Sequence, residues 1–370
     1  MKDATAEKLL ARVLGWGQED VAKERPLLQA MAAYKYDEYQ QFSPGMRFLE
    51  SLACWLDQFR TPAERKCAYE FVKRRLIYCS AAEMNHFVET AYPEHVRPII
   101  LRRAADDIRC SPQHLGRVGD SVAFRVRQRQ CLILGLSDGA RIDAFRRANR
   151  ELDQEQIWQT HELSATRVEE MLGKLSKHIG KMTATEPTSR KFKTLVLLDD
   201  FSASGSSYYM PKADGKVGGK IAKFCDGLGT PGDSLAGLVD PGAFEVVVLL
   251  YVATEQARDH LVTYSEKLWG AAGVRCQVEV VQLIPDGVKI ARGGGEGVHQ
   301  LIEAYYDHGV WDEHLEKGGT ADAKYGYAAC GLPLVLHHNT PNNSLCLLWS
   351  YDDREIRGLF PRVRRHKEMS

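Results

Sequence analysis

Residues Thr194 to Ser207 read Thr-Leu-Val-Leu-Leu-Asp-Asp-Phe-Ser-Ala-Ser-Gly-Ser-Ser, an apolar run that meets two carboxylates and then a string of small and hydroxylated residues. The run Leu195 to Leu198 has the length of a fully buried strand, which puts Asp199 and Asp200 at its carboxyl end, where open α/β sheets place their ligands. Gly205 tolerates positive φ, and Ala203, Ser204, Ser206 and Ser207 leave backbone N–H groups uncovered, so the segment can turn tightly around an anion. A helix starting near Ser206 would aim its first N–H groups at the same spot. Two carboxylates beside several donors suit a sugar diol next to its 5′-phosphate. The competing reading is a strand that ends in an ordinary turn, because Asp, Ser and Gly are also common turn formers.

The order of residues resembles the signature of type I phosphoribosyltransferases: a hydrophobic strand, paired acids, a spacer, Ala-Thr-Gly, then a small residue and Thr. Ala203, Ser204, Gly205, Ser206 and Ser207 carry the match. The resemblance implies that Asp199 and Asp200 hold the ribose hydroxyls of phosphoribosyl pyrophosphate, and that Ser202 to Ser207 bind its 5′-phosphate. Ser at 204 and 207 keeps the hydroxyl of the family's Thr. Phe201 and Ser202 depart from the aliphatic residues usual there.

A chain of 370 residues is long enough for about two domains, and its 49 basic and 49 acidic residues cancel. Net neutrality removes any composition argument for general nucleic-acid binding. The longest apolar stretch, Val246 to Ala253, falls far short of the roughly 20 residues that span a bilayer, and the polar amino terminus lacks a signal-peptide core. Nine cysteines without a Cys-x-x-Cys pair fit reduced thiols in a cytoplasmic protein.

The texture changes near residue 110. Before it, Phe48, Leu49, Leu52, Trp55, Leu56 and Phe59 recur at helical spacing, and Thr61-Pro62 and Ser80 with Glu83 read as helix starts. Residues 1–110 are therefore expected to form a helical domain with a partner or regulatory role. Tyr34 to Phe48 mixes aromatics with polar groups, as a partner surface or as a staple to the next domain. Residues 111–370 alternate strand, loop and helix, which predicts a mostly parallel sheet with helices on both faces. Strands are expected at Cys131–Leu136, Leu195–Leu198, Val246–Ala253, Val278–Leu283 and Leu334–His338, and helices at Gln154–Ile179, Glu255–Trp269 and Gly297–Tyr306.

A second loop, Gly135 to Arg141, follows the first of these strands. Phosphoribosyltransferases bind the departing pyrophosphate at a loop in this position, so Ser137, Asp138, Gly139 and Arg141 are candidates for that role. Arg suits a phosphate because its planar fork makes paired, charge-assisted hydrogen bonds. Mg2+ is expected as a partner of pyrophosphate oxygens, with no metal-ligating side chain assigned directly. Leu334 to Trp349 delivers His337 and His338 into an Asn- and Pro-containing loop; His338 is a catalytic candidate, and Asn339 and Asn342 are candidates for the acceptor, the alternative being a hairpin turn built from Asn and Pro with a buried His. Arg292 to Gly297 lacks the spacing of a P-loop and reads as a connection, Lys212 to Gly242 as a lid or insertion, and the basic cluster at Arg362, Arg364, Arg365, His366 and Lys367 as a solvated tail.

Taken together, Tyr34 to Phe48, Ser137 to Asp143, Asp199 to Ser202 and His338 to Leu345 resemble the phosphoribosyltransferase-like effectors of bacterial anti-phage systems, including those encoded beside retron reverse transcriptases. The resemblance implies a toxic effector that acts at the anomeric carbon of a phosphoribosyl donor or nucleotide. It also implies partners, namely a reverse transcriptase and its RNA or DNA product. Oligomeric state stays open, a homo-oligomer included. Two other classes remain: a non-catalytic sensor of a phosphoribosyl compound or nucleotide, and a scaffold for a partner complex.

Overall fold

The structure is a computed structural model and describes residues 3–183, 190–212, 214–295, 297–311 and 313–362. Its strands in chain order are β1 (Ile77–Cys79), β2 (Cys131–Gly135), β3 (Ile157–Trp158), β4 (Thr194–Ser202), β5 (Met210–Pro211), β6 (Val217–Gly218), β7 (Glu245–Thr254), β8 (Arg275–Ile284) and β9 (Leu334–Leu336). The chain divides into two compact units, one holding residues to Met84 together with those from Asp286, the other Asn85–Pro285. The sequence texture placed a single boundary near residue 110; the contacts instead return the last part of the chain to the first.

The Asn85–Pro285 unit is built on a five-stranded, wholly parallel sheet in the order β3-β2-β4-β7-β8. β2, β7 and most of β4 are buried on both faces, which is why they read as continuous hydrophobic runs, whereas the edge strand β8 is mostly half-buried. One face presents Leu132, Leu134, Leu195, Leu197, Val246, Val248 and Leu250 to three helices. The helix Ala165–Met182 packs Val168, Met171, Leu175 and Ile179 there at helical spacing, and Ser164 caps it by accepting from the Arg167 N–H. Lys220–Gly229 adds Ile221 and Phe224, and Glu255–Ala271 adds Ala257, Leu261 and Trp269. At the amino end of β7, an inner strand, Arg103 grips the buried Glu245 carboxylate through Nε and Nη2, at 2.6 to 3.1 Å.

Three sequence expectations change in this unit. The helix expected over Gln154–Ile179 is preceded by a strand: Ile157 and Trp158 pair with Ile133 and Leu134, and the helix waits for the Ser164 cap. Sheet pairing of a β-branched and an aromatic residue overrides their place in a helix-like stretch. No helix starts at Ser206. The chain makes a turn there, with the N–H groups of Tyr208 and Tyr209 both donating to the Gly205 carbonyl, and then the β5–β6 hairpin, so the helix begins at Lys220. Finally, Lys212 to Gly242 is the crossover from β4 to β7. Its helix is fixed to the sheet by Ile221, Ala222 and Phe224, all buried.

The other unit gathers Phe48, Leu52, Trp55, Leu56 and Phe59 from the amino-terminal helices with Leu345, Leu347, Leu348, Leu359 and Phe360 from the end of the chain. It is mixed in class, because β1 and β9 pair in parallel, Ile77 opposite Leu334. The strand expected at Leu334–His338 therefore stays out of the main sheet and stops at Leu336, where a turn closes: the Leu336 N–H donates to the Asn339 carbonyl at 3.2 Å and the Asn339 N–H to that of Leu336 at 3.0 Å. His337 and His338 are the corner residues of this turn and do not alternate along a strand; their rings meet edge to face at 5.0 Å. Tyr36, Tyr39, Phe42 and Phe48 pack around Phe360, so the aromatics of this stretch are core apart from the exposed Tyr34, while polar residues such as Glu38, Gln40 and Arg47 face solvent. In the basic tail, Arg364, Arg365, His366 and Lys367 lie outside the described residues.

Candidate functional site

Strand order decides where a ligand can enter the parallel sheet. From β2 the chain crosses outward to β3, then returns past β2 to β4 and goes on through β7 to β8, so the direction of winding reverses between β2 and β4. At such a reversal the loops leaving two neighbouring strands diverge and open a crevice at their carboxyl ends. Both loops read from the sequence leave from this place. β2 stops opposite Leu198, where the Leu136 N–H donates to the Leu198 carbonyl at 2.9 Å, and β4 continues through Asp199 to Ser202 beside β7 alone. The acids thus sit inside a strand that runs four residues past its expected end at Leu198, directly against the loop that follows β2.

Contacts between the two loops are intimate. Ser137 Oγ donates to Asp199 Oδ1 and accepts from the Gly139 N–H at 3.1 Å. A side chain on Gly139 would place its Cβ 2.5 Å from Asp200 Oδ2, so only glycine lets this backbone lie on the carboxylate. Arg141 has φ +50°, and its Nη1 is buried without a hydrogen-bond partner among the described residues. A buried guanidinium N–H left in this way is costly, and an anion in the crevice would satisfy it. Asp138 is exposed at the rim.

The Ala203–Ser207 segment is held from below. Thr254, fully buried at the end of β7, donates to the Ala203 carbonyl at 2.6 Å and caps the next helix by accepting from the Ala257 N–H. Ser202 Oγ accepts from the Gly205 N–H at 3.2 Å, and the hydroxyls of Ser204 and Ser206 lie 2.9 Å apart. Gly205 has φ +78°, and a Cβ there would stand 2.7 Å from the His260 ring. Ser207 is exposed, and Ser204 and Ser206 are half-buried. The result is a tight turn rimmed by hydroxyls, in which the Gly205 and Ser206 N–H groups donate to Ser202 and Ser204 Oγ and the hydroxyls are the groups that can meet an oxyanion.

Asp199 is the most perturbed acid. Burial pushes its pKa up from 3.8 to about 6, the charge of Asp200 adds to the rise, and Lys220, Ser137 and Tyr208 oppose it. The Tyr208 hydroxyl donates to Asp199 Oδ2 at 2.9 Å, and burial drives its own pKa well up, so it remains a donor. The Lys220 ammonium stands 3.5 Å from the same oxygen.

Asp199, Asp200, Ser137, Asp138, Gly139, Arg141 and Ser202 to Ser207 therefore belong to one region of one unit. His338, Asn339 and Asn342 belong to the other unit, where the His338 carbonyl accepts from Gln41 Nε2 at 2.9 Å and the Asn342 carbonyl from the Tyr327 N–H at 2.7 Å. The sequence reading missed Tyr208, Lys220, Thr254 and His161. His161 follows β3 and places Nδ1 3.3 Å from the Gly135 carbonyl, at the carboxyl end of β2. Thr254 was legible as the hydroxyl that ends a strand and opens a helix; Lys220 was not, because an intervening hairpin brings it back to the acids. Among the described residues no three His, Cys, Asp or Glu side chains converge to hold a metal. All nine cysteines are free thiols, and no helix of the described residues is long and apolar enough to cross a membrane.

No curated protein and no solved structure matches the chain. The PRTase-CE family model matches residues 52–362, a span that takes in the acid pair, the loop after β2 and the turn after β4. The protein is thus phosphoribosyltransferase-like, and the chain belongs to the PRTase-CE family.

Proposed function

We propose that the protein acts at the anomeric carbon of a phosphoribosyl donor or nucleotide, by pentosyl transfer or by hydrolysis of the glycosidic bond. The observation that carries this reading is the meeting of the Ser137–Arg141 loop with Asp199 and Asp200 where the winding of the sheet reverses. Opening the bond to the leaving group builds positive charge on the ribose ring and negative charge on pyrophosphate. Asp200 faces the first and Arg141 the second, while Ser204 to Ser207 fix the 5′-phosphate and hence the position of the ring. If Mg2+ entered with the donor, it would supply charge neutralisation for the leaving pyrophosphate beside Arg141.

The resemblance of the wider set of segments supports a role as a cytoplasmic toxic effector in bacterial anti-phage defence, held in check by a reverse transcriptase and its RNA or DNA product. The test is to incubate the protein with 13C-labelled phosphoribosyl pyrophosphate, Mg2+ and a panel of bases, nucleotides and lysate, following pyrophosphate release and product mass. Turnover that disappears in Asp200→Asn supports the enzyme. A second reading is a non-catalytic sensor: His260, the histidine beside the cradle, donates its Nε2–H to the Tyr209 carbonyl at 2.8 Å, which leaves only its Nδ1 to take a proton. Saturable binding without turnover under every condition supports the sensor.

A further inference from the structure

Asp199 and Asp200 are adjacent in sequence but differ in kind. Asp199 is 2 % exposed, whereas Asp200 is half-buried. An ionised carboxylate offers about four lone-pair directions. Around Asp199 three are taken by hydrogen bonds, from Ser137 Oγ and the Asp200 N–H on Oδ1 and from the Tyr208 hydroxyl on Oδ2, and the Lys220 ammonium stands 3.5 Å from Oδ2 as an ion-pair partner. A sugar diol would have to compete with these partners at both oxygens. The donors also come from separate segments. Ser137 belongs to the loop after β2, Tyr208 to the turn below the hydroxyl-rimmed cradle, and Lys220 to the helix that follows the hairpin. Ser137 passes the restraint on, since its Oγ also accepts from the Gly139 N–H, and Gly139 is the residue that lies against Asp200.

We infer that Asp199 is a positioning residue that fixes the Ser137–Arg141 loop against the cradle, and that Asp200 alone of the pair meets the ribose diol. The inference rests on the phosphoribosyl reading of the site and refines it: the paired acids divide their work, one building the pyrophosphate side and the other holding the sugar. Tyr208 and Lys220 then serve Asp199 and not the substrate. Truncating Asp199 frees Ser137 and loosens the loop that presents Arg141, but leaves the Ser204–Ser207 turn, which Thr254 and Ser202 hold independently.

The two halves of the site can be probed with separate fragments. Inorganic pyrophosphate with Mg2+ reports the loop after β2, and ribose 5-phosphate reports the cradle and the diol. Titration calorimetry of the full chain would compare wild type with Asp199→Ala, Asp199→Asn and Asp200→Ala, each checked by circular dichroism and thermal melting. Asp199→Ala is expected to weaken pyrophosphate about tenfold and ribose 5-phosphate by no more than about twofold, and Asp200→Ala to show the reverse. Asp199→Asn, which still pairs with hydroxyls that can turn to donate or accept, is expected to recover most of the pyrophosphate affinity. Where Asp199→Ala does not fold, Ser137→Ala removes the other end of the same bond and is expected to give the same split. Equal weakening of ribose 5-phosphate by Asp199→Ala and Asp200→Ala would make Asp199 a diol ligand and overturn the inference. So would an Asp199→Asn variant that loses pyrophosphate while its melting is unchanged. Wild type that binds neither fragment instead overturns the phosphoribosyl reading on which the inference stands.

Discussion

The buried Asp199 carboxylate ties stability to pH with a defined sign. Its pKa is raised from 3.8 to about 6, first by burial and next by the charge of Asp200. A raised folded-state value means that the native protein holds this proton more tightly than the unfolded chain. The stabilisation from Asp199 is therefore fully present below the unfolded pKa and is lost as pH rises through the folded one, across a window from about 4 to about 6. A shift of about two units corresponds to about 3 kcal/mol. Because the side chain is almost wholly enclosed, solvent screening takes little from this figure. Asp199→Asn keeps the shape and removes the titration. Urea unfolding of wild type and variant at pH 4, 5, 6 and 7 reads this titration together with its coupling to the Asp200 charge. The stability of the variant relative to wild type should increase by about 3 kcal/mol from pH 4 to pH 7. A difference that stays flat across this range, or that falls, refutes the reasoning.

Further outcomes follow from single contacts. Arg103→Ala leaves Glu245 buried without its fork of three hydrogen bonds and should destabilise the protein by about 3 to 5 kcal/mol in urea unfolding at neutral pH. Tyr39→Phe removes a buried hydroxyl placed 2.9 to 3.1 Å from Thr340 Oγ1 and the carbonyls of Phe360 and Pro361, and should cost about 1 to 3 kcal/mol by the same measurement. Gly139→Ala drives a methyl group into the Asp200 carboxylate, so calorimetry should find weaker ribose 5-phosphate binding with a melting temperature near that of wild type.

Much of the sheet was legible because buried parallel strands announce themselves as apolar runs. Glu245–Thr254 and Arg275–Ile284 extend the expected strands by only one to three residues at each end. What misled was local composition judged without its partners. Ile157 and Trp158 look helical in their own window and become a strand only because β2 offers an edge. Leu334 to Leu336 look like one more strand of the main sheet, but their partner is Ile77 to Cys79, more than 250 residues earlier, a pairing that no periodicity encodes. In the site, the acids and both loops could be read because a strand end followed by small residues is a local pattern. The inequality of the two acids could not. It depends on Tyr208 and on Lys220, which a positive-φ turn at Gly205 and a hairpin carry back to Asp199. Burial of one aspartate and not its neighbour is a property of that return.

The central claim is that the crevice between β2 and β4 holds a phosphoribosyl group through Asp200, Arg141 and the Ser204–Ser207 turn. Equilibrium binding of phosphoribosyl pyrophosphate with Mg2+ to wild type, Asp200→Asn and Arg141→Gln tests it most directly. The account predicts saturable binding to wild type that each substitution weakens at least about tenfold, or about 1.4 kcal/mol, with folding intact. Wild type that does not bind, or variants that bind as tightly as wild type, would contradict it.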